Sequence, residues 1–290
     1  MPSTRDIRRR IKSVKNTAQI TKAMQMVAAS KMRKAQQAAL AGRPYAALMN
    51  EVLAAVVAES KDFTHSLTEK REGTRRCVII VSTDKGLCGG LNSILMREAA
   101  KFGPHTKFIA CGRKASQFLA RTRRGLVAEF TYKDAPLFSD ARAISKFAQD
   151  LFLKGEVDQV DILFTRFIST LNQKPEILQL LPIGEVKPVT AGIGATPEPP
   201  AGATGGEFLF EPSQEHVFGA LLPHSLNFQV YQILLEAKAS EHSARMVAMK
   251  NATDNAKQFI KDLTLEYNKL RQANITKELL EITSAAMAMG

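Results

Sequence analysis

The stretch VIIVSTDKGLCGGLN, residues 78–92, joins an apolar run to a loop that contains three glycines. The apolar run favours a buried β-strand, and the residues after the loop have a helical pattern. A strand, a glycine-rich loop and a helix in this order begin many phosphate-binding sites of α/β proteins. The stretch therefore predicts an α/β domain, and it raises the question whether the loop binds a nucleotide.

The residues around this stretch alternate between strand-like and helix-like patterns. Such alternation is typical of a mostly parallel sheet with crossover helices. The candidate strands are residues 77–82, 107–111, 126–132, 159–167 and 176–181, and the candidate helices are residues 91–102, 113–121 and 139–153. We expect a Rossmann-like α/β domain over residues 73–211, with a flexible loop rich in proline and glycine at 187–207.

Long helical patterns flank this domain, at residues 1–60 and 212–290. In each, apolar and small residues recur at alternating spacings of three and four, which predicts a helix that winds around a partner helix. The N-terminal seam comprises Ile7, Ile11, Val14, Ala18, Thr21, Gln25, Ala28, Met32, Ala35 and Ala39, widened by Ile20, Met24 and Val27. The C-terminal seam comprises Met246, Met249, Thr253, Ala256, Ile260, Leu263, Tyr267, Leu270 and Asn274. We expect the two helices to form a long antiparallel coiled coil.

The glycine loop lacks the fingerprints of the known phosphate-binding loops. A Walker loop needs a lysine and a hydroxyl residue after its last glycine, whereas Lys85 precedes the glycines here. The spacing of a dinucleotide-binding loop is also absent, and Asp84 would place a carboxylate beside a phosphate. We therefore favour a tight strand-to-helix turn, or a close contact with a partner protein, over a nucleotide site.

Composition limits the function classes. The chain has 40 Lys+Arg against 28 Asp+Glu, a net charge of +12, which favours an acidic partner. Its three cysteines lack metal-ligand spacing and suit buried free thiols in a reducing compartment, and Cys88 is the first candidate for an exception because it lies in a loop. No apolar run reaches the roughly 18 residues of a membrane-spanning helix.

Catalytic signals are weak. The five histidines are scattered and no nucleophile elbow is present, so we expect no catalytic residue, no metal and no cofactor. The basic N-terminal helix leaves nucleic-acid binding open as an alternative. Against it, no aromatic residue for base stacking occurs before Tyr45.

Four segments closely resemble the γ subunits of F-type ATP synthases, in the order that the family has them. They are DIRRRIKSVKNTAQITKAMQMVAASKMRKA (6–35), STDKGLCGGLN (82–92), ARMVAMKNATDNA (244–256) and YNKLRQANITKELLEI (267–282). The resemblance implies the central stalk of a rotor, whose coiled coil lies inside a hexamer of three α and three β subunits. The α/β domain would form a foot, with the ε subunit, on the ring of membrane c subunits. Catalysis would belong to β, so this chain would have no active site.

The resemblance also implies roles for residues at matching positions. Lys22 and Met24 would face the acidic lower loop of β, and the loop with Lys85 and Cys88 would meet the lower rim of the hexamer. The upper contacts with the β catch loop would come from Arg271, Gln272, Thr276 and Glu278. An apolar bearing at the hexamer top would hold Ala286, Met287 and Met289, and the foot would turn Leu209, Phe210 and Glu211 toward the c-ring.

Two departures from the family pattern stand out. Ala285 replaces the usual glycine, which predicts a straighter helix tip, and the loop at 187–207 has no family counterpart. Because the family motif begins by residue 6, we expect no presequence. This favours a bacterial protein on the cytoplasmic face of the inner membrane, attached only through the c-ring, with a mature mitochondrial form as the alternative.

Overall fold

The computed structural model describes residues 3–42, 44–49, 51–52, 65–71, 73–183, 211 and 213–289. Its helices and strands follow the order that the sequence predicts. They are α1 (Thr4–Ala41), β1 (Arg76–Val81), α2 (Leu91–Ala100), β2 (Lys107–Cys111), α3 (Arg113–Arg121), β3 (Gly125–Phe130), α4 (Phe138–Leu153), β4 (Gln159–Phe167), β5 (Gln173–Leu181) and α5 (Gln214–Met289). Residues 44–49 are also helical. The predicted loop at 187–207 lies outside the described residues.

The five strands form one mostly parallel sheet, in the order β3-β2-β1-β4-β5. Strand β1 pairs in parallel with β2 on one side and with β4 on the other, and β5 alone runs antiparallel to its neighbour. The sheet predicted from the sequence is confirmed, with strand and helix ends shifted by up to three residues.

The central strands are apolar because both faces of the sheet are covered. Five of the six residues of β1 are buried, and strands buried on both faces read as continuous apolar runs. One face packs on α4 and on the first part of α5, through residues such as Ile144 and Val230. The other face packs on α2 and α3, through residues such as Leu95 and Leu119.

The chain divides into two compact units. The first contains Met1–Val27 and Met246–Gly290, and the second contains Ala28–Arg245. The domain boundaries predicted near residues 60 and 212 stay a prediction.

Within the second unit, the end of α1 packs closely against α5. Ala35 and Ala39 form a buried cluster with Leu235 and Ala239. Gly42 lies beside Gln232, whereas Tyr45, three residues later, contacts His224, eight residues earlier in the chain than Gln232. The two segments therefore run antiparallel. Small side chains on both helices allow this close approach.

Within the first unit, the two predicted seams meet. Every seam position of α1 from Ile7 to Gln25 is buried or half-buried, and so is every seam position of α5 from Met246 to Leu270. The hydroxyl oxygens of Thr21 and Thr253 lie 2.7 Å apart across the interface. The coiled coil that the spacing predicts is therefore confirmed.

Three details of the predicted seams are wrong. Asn274 is exposed, and Ile20 and Val27 are 61% and 55% exposed rather than part of a wider stripe. A two-helix seam is narrow, because a single facing helix covers only the residues that repeat every 3.5 positions. Met24 is half-buried beside the seam.

The burial of Ile7 gives a test of the coiled coil. Ile7 is 1% exposed, so we expect Ile7→Ala to lower the free energy of unfolding by about 2–4 kcal/mol. The measurement is urea unfolding of the full chain, followed by far-ultraviolet circular dichroism. Ile20→Ala on the exposed side of the same helix is the matched control, and an equal loss in both variants would contradict the seam.

Candidate functional site

The loop after β1 lies at the point where the sheet reverses its strand order. The chain leaves β1 toward β2 on one side, while β4 pairs with the other side of β1. In doubly wound sheets, ligands bind at the carboxyl ends of the strands at such a switch point. The loop at residues 82–92 is therefore in the place where a phosphate would bind in a nucleotide-binding relative of this fold.

Two side chains of this loop cap the helix that follows β2. The first amide of α3, at Arg113, donates to the Asp84 carboxylate over 3.0 Å. The Ala115 amide donates to the Ser82 hydroxyl over 2.9 Å. Amides at a helix N-terminus attract anions, so Asp84 supplies the anion at the start of α3. The preference for a structural turn or a protein contact over a nucleotide site stays a prediction.

A glycine makes this close approach of α3 to β1 geometrically feasible. Gly112 has a φ of 101°, a backbone conformation that side chains rarely adopt, and a Cβ there would lie 2.4 Å from the Ser82 carbonyl oxygen. Any other residue would therefore push α3 away from the end of β1. The position was not singled out from the sequence, because its partner is 30 residues away.

Asn92 ties the inside of the loop together. Its amide nitrogen donates to the Thr83 hydroxyl over 2.8 Å and to the Cys88 sulfur over 3.3 Å. Cys88 is 2% exposed, and Cys77 and Cys111 are also buried, so the expectation of buried free thiols is confirmed and Cys88 is no exception to it. Its neighbours fold inward over it, and burial raises the pKa of its thiol. A contact between the Cys88 side chain itself and a partner stays a prediction.

The outside of the loop presents Lys85 and Leu87. Both are exposed, and Leu87 leaves 61% of its surface uncovered although it is apolar. Its φ of 62° lies in the left-handed region, which costs a residue other than glycine roughly 1–2 kcal/mol. Nothing in the spacing of the loop indicates this backbone conformation, so the sequence gives no signal that singles out Leu87.

Arg245, at the end of the second unit, clamps the loop. Its guanidinium donates to the carbonyl oxygens of Gly86 and Lys85 over 3.2 and 3.3 Å. The carboxylate of Glu241 lies 2.8 Å away and holds the guanidinium in place. Such a contact between residues about 160 positions apart leaves no local signal in the sequence.

A cluster of buried charges lies beside this clamp. Lys238 and Glu241 form an ion pair at 3.0 Å with both side chains nearly inaccessible, and the Lys238 ammonium lies 4.8 Å from the centre of the Tyr132 ring. His242 is 3% exposed, and its Nε2 has no hydrogen-bond partner among the residues that the structure describes. Burial lowers the pKa of His242 to about 4, so the ring is neutral at physiological pH.

The remaining predicted contact residues of α1 lie in the first unit. Lys22 is exposed, and its ammonium donates to the Gln25 side chain over 3.3 Å. Met24 is half-buried, while the nearby Met26 is 58% exposed. This part of α1 therefore combines an exposed cation with uncovered apolar surface.

The last part of α5 is exposed on every face. From residue 271 to 287 no side chain is covered by the described chain, including Arg271, Gln272, Thr276, Glu278, Ala286 and Met287. Met287 is 85% exposed, and four more large apolar residues are about half exposed or more: Ile275, Leu279, Leu280 and Ile282. Several large apolar side chains left uncovered on one helix end favour a partner that covers them.

The structure does not describe the side chains of three predicted contact residues. Leu209 and Phe210 are outside the described residues, and so is the side chain of Met289. Glu211 is described and exposed.

The part of the chain that the structure describes lacks two features. Among the described residues, no three or more His, Cys, Asp or Glu side chains are grouped so that they could hold a metal ion. None of the described helices is long and apolar enough to cross a membrane.

The fold defines a protein in which an α/β domain is inserted between two long helices that form a coiled coil. Residues 3–289 match the family model described as ATP synthase. A gamma chain from Opitutus terrae is 50% identical, over 99% of both chains, and one from Methylacidiphilum infernorum is 46% identical over all of both chains. The chain therefore belongs to the ATP synthase gamma chain family, as the four sequence segments predict.

Solved structures share the fold. A chain of the mitochondrial ATP synthase of Euglena gracilis, solved with OSCP, F1 and the c-ring, aligns with a TM-score of 0.69 at 20% identity, over 99% of this chain and 94% of that one. A chain of the central stalk and c-ring structure from Tetrahymena thermophila aligns with a TM-score of 0.59 at 24% identity, over 80% of this chain and 99% of that one. The predicted fold class, an α/β domain inserted between two long helices, is confirmed.

The low pKa of His242 predicts how stability depends on pH. The unfolded ring takes up a proton near pH 6.5, whereas the folded ring resists protonation until about pH 4. The contribution of His242 to the free energy of unfolding is therefore constant above about pH 6.5. It decreases by about 3 kcal/mol as the pH falls toward 4. We expect His242→Gln to remove this part of the decrease in urea unfolding of the full chain at a series of pH values.

Carboxylates of the chain also titrate in this range. The informative quantity is therefore the difference in the free energy of unfolding between variant and wild type at each pH. Exposed His105 offers a matched control, and His105→Gln should leave the wild-type pH profile unchanged. A profile that is the same for His242→Gln and for wild type would contradict a buried neutral ring.

Proposed function

We propose that this chain is the central-stalk rotor subunit of a proton-translocating F-type ATP synthase. In this role it transmits torque between the c-ring in the membrane and the catalytic hexamer of three α and three β subunits. The observation that carries the proposal is the helix end at residues 271–287, which is exposed all round, presents five large apolar side chains and is continuous with a coiled coil. Such a helix end suits the inside of a hexamer.

The chain has no active site of its own in this proposal. The loop after β1 lacks the fingerprint of a phosphate-binding loop, and its Asp84 carboxylate is bound to the start of α3, which supports a role as a contact surface. ATP chemistry then belongs to the partner subunits. As the chain turns, it changes which conformation each β subunit adopts, and in this way it affects the ATP chemistry.

The proposed contacts are those that the family resemblance implies. Lys22, Met24 and the loop with Lys85 and Cys88 serve the lower contacts with β. Arg271, Gln272, Thr276 and Glu278 serve the upper contacts, and Ala286, Met287 and Met289 turn in an apolar bearing. We also propose that Leu209, Phe210 and Glu211 face the c-ring, that the foot binds the ε subunit, and that the complex sits on the cytoplasmic face of a bacterial inner membrane.

Charge supports the rotary role. With a net charge of +12, the chain is attracted to acidic loops of a surrounding hexamer. Exposed ion pairs contribute only about 0–1 kcal/mol each, so such contacts can be exchanged as the shaft turns. Attraction without tight locking is what rotation requires.

The test is the composition of the native complex. The tagged chain is purified from membranes under mild conditions and weighed by native mass spectrometry, with a tagged β subunit as the reciprocal preparation. We expect one copy of this chain with three α and three β subunits. A monomer or a homo-oligomer, in preparations where tagged β retains its α partners, would overturn the proposal.

Truncation after Ile282 tests the bearing separately. No residue of the described chain covers this end of α5, so we expect the thermal stability of the isolated chain to be unchanged. Within the complex, we expect weaker assembly and a modest loss of ATP turnover, because the hexamer loses an apolar contact. A fall in the stability of the isolated chain would mean that these residues pack internally, contrary to the exposed helix end.

A further inference from the structure

One stretch of α5 is buried although it is largely polar. Residues 232–243 are all buried, and more than half of them are polar or charged. A buried polar side chain costs free energy unless it is hydrogen-bonded, and apolar residues of similar volume often stabilise a protein at least as well. Stability alone therefore does not explain these residues. Directed polar contacts differ from apolar packing in that they favour a single arrangement of two elements.

Three polar side chains of this stretch bond to one partner, strand β4 and the turn that follows it. Glu236, Ser240 and Ser243 are spaced by four and three residues, which places them on one face of α5. All three bond to backbone atoms: Glu236 accepts from the Phe167 amide over 3.0 Å, Ser240 donates to the Thr165 carbonyl over 2.9 Å and Ser243 donates to the Thr170 carbonyl over 2.8 Å. This face of α5 is thus bonded directly to the main chain of the sheet.

Strand β4 is longer than its neighbour β1. The paired register of the two strands ends at Ile80 and Leu163, whereas β4 continues to Phe167. The bonds from α5 reach β4 in this last part of the strand. Past Leu163, α5 therefore takes the place of β1 beside the strand.

The pairing with β5 shows which way the backbone groups in this last part face. Beside the turn, the Ile168 amide donates to the Asn172 carbonyl, so residue 168 faces β5. In an antiparallel pair, successive residues alternate between facing the neighbouring strand and facing away. The backbone groups of Thr165 and Phe167 therefore face away from β5, and Pro175, opposite Thr165, has no amide hydrogen to donate. Side chains of α5 thus supply the partners that a longer β1 would have supplied.

The turn between β4 and β5 is also tied to α5. The side-chain amide of Gln173 donates to the carbonyl groups of Ser169 and Thr170, over 3.0 Å each, and to the Ser243 hydroxyl over 3.4 Å. Ser243 therefore contacts a turn that is held by its own side-chain bonds. A hydrogen bond weakens steeply as its angle departs from linearity, so bonds to fixed backbone atoms resist rotation of α5 about its axis.

We propose that Glu236, Ser240 and Ser243, here called the key residues, fix the rotational register of α5 against the sheet. Through them, torque passes between the α/β domain and the coiled coil with little twist at this joint. The apolar part of the same interface, around Val230 and Leu234, is not directional and resists twist less. The key residues are positioning residues, because they act on partner subunits only through α5. This inference rests on the function proposed above.

The first test measures the stiffness of the joint in the assembled complex. The hexamer is fixed to a surface, and a bead is attached through His105→Cys, present in every variant, because position 105 is exposed and the three native cysteines are buried. The angular fluctuations of the bead are recorded while the shaft pauses without nucleotide. Since the loss of one hydrogen bond shifts an equilibrium by roughly two- to tenfold, we expect Ser240→Ala to raise the variance of the bead angle about twofold or more.

The matched control is Ser145→Ala. Ser145 is also a buried serine of the α/β domain, but its hydroxyl accepts a hydrogen bond from Gln149 of its own helix, α4. Both alanine variants should lower the melting temperature of the isolated chain by a similar small amount, and only Ser240→Ala should broaden the distribution of bead angles. An unchanged distribution in Ser240→Ala, or equal broadening in the two variants, would overturn the proposal.

Glu236 gives a second test that leaves the serines intact. Glu236→Gln keeps an oxygen that accepts from the Phe167 amide, whereas Glu236→Leu removes it. In the isolated chain, we expect hydrogen exchange of the Phe167 amide to be several-fold faster in Glu236→Leu and near wild type in Glu236→Gln. In the complex, only Glu236→Leu should broaden the distribution of bead angles. Faster exchange together with wild-type fluctuations would show a purely structural bond and would contradict the proposal.

Failure of the proposed function is detected separately. Native mass spectrometry of the wild-type complex shows whether this chain assembles with α and β subunits. An assembled complex whose Ser240→Ala and Glu236→Leu variants keep wild-type fluctuations overturns the role of the key residues alone.

Discussion

Close packing of α1 against α5 through small side chains is the constraint on which the rest of the chain depends. The clusters along this seam use alanine and threonine, as at Ala35, Ala39 and Thr21, where larger residues would hold the helices apart. Because the first and last helices of the chain pair with each other, everything between them must form a domain whose ends meet. A mostly parallel α/β sheet with covered faces satisfies that requirement.

The same constraint places the glycine loop. Helix α5 covers one face of the sheet with its first part, and the turn of α5 that carries Glu241 and Arg245 reaches the end of β1. At the switch point, Arg245 bonds to the carbonyl groups of the loop, and Asp84 of the same loop bonds to the N-terminus of α3. The loop is thus built into the packing of two helices, and the fold class by itself does not specify a ligand for it.

Sequence patterns predicted most of this architecture, because they report on burial that repeats along one element. The seam from Ile7 to Gln25 and the strand from residue 77 are confirmed, since a helix or a strand buries residues at a fixed period. The wider stripe through Ile20 was wrong, because sequence alone does not reveal how many helices face α1. Cys88 was singled out as an exception to burial because loops are exposed on average, but this loop folds over its own thiol, which accepts a hydrogen bond from Asn92.

The two proposed contact regions differ in a way that suits their different tasks. The glycine loop at residues 82–92 is braced by hydrogen bonds from the Arg245 guanidinium of α5 to its backbone. At the helix end, the hydroxyls of Thr276, Thr283 and Ser284 bond to carbonyl groups of their own helix, over 3.0, 2.9 and 2.7 Å. Hydroxyls satisfied in this way have less to gain from hydrogen bonds to a fixed partner. The proposed rotor role needs both properties, because a loop that meets a partner must keep its shape and a helix end that turns in a bearing must not bond tightly to it.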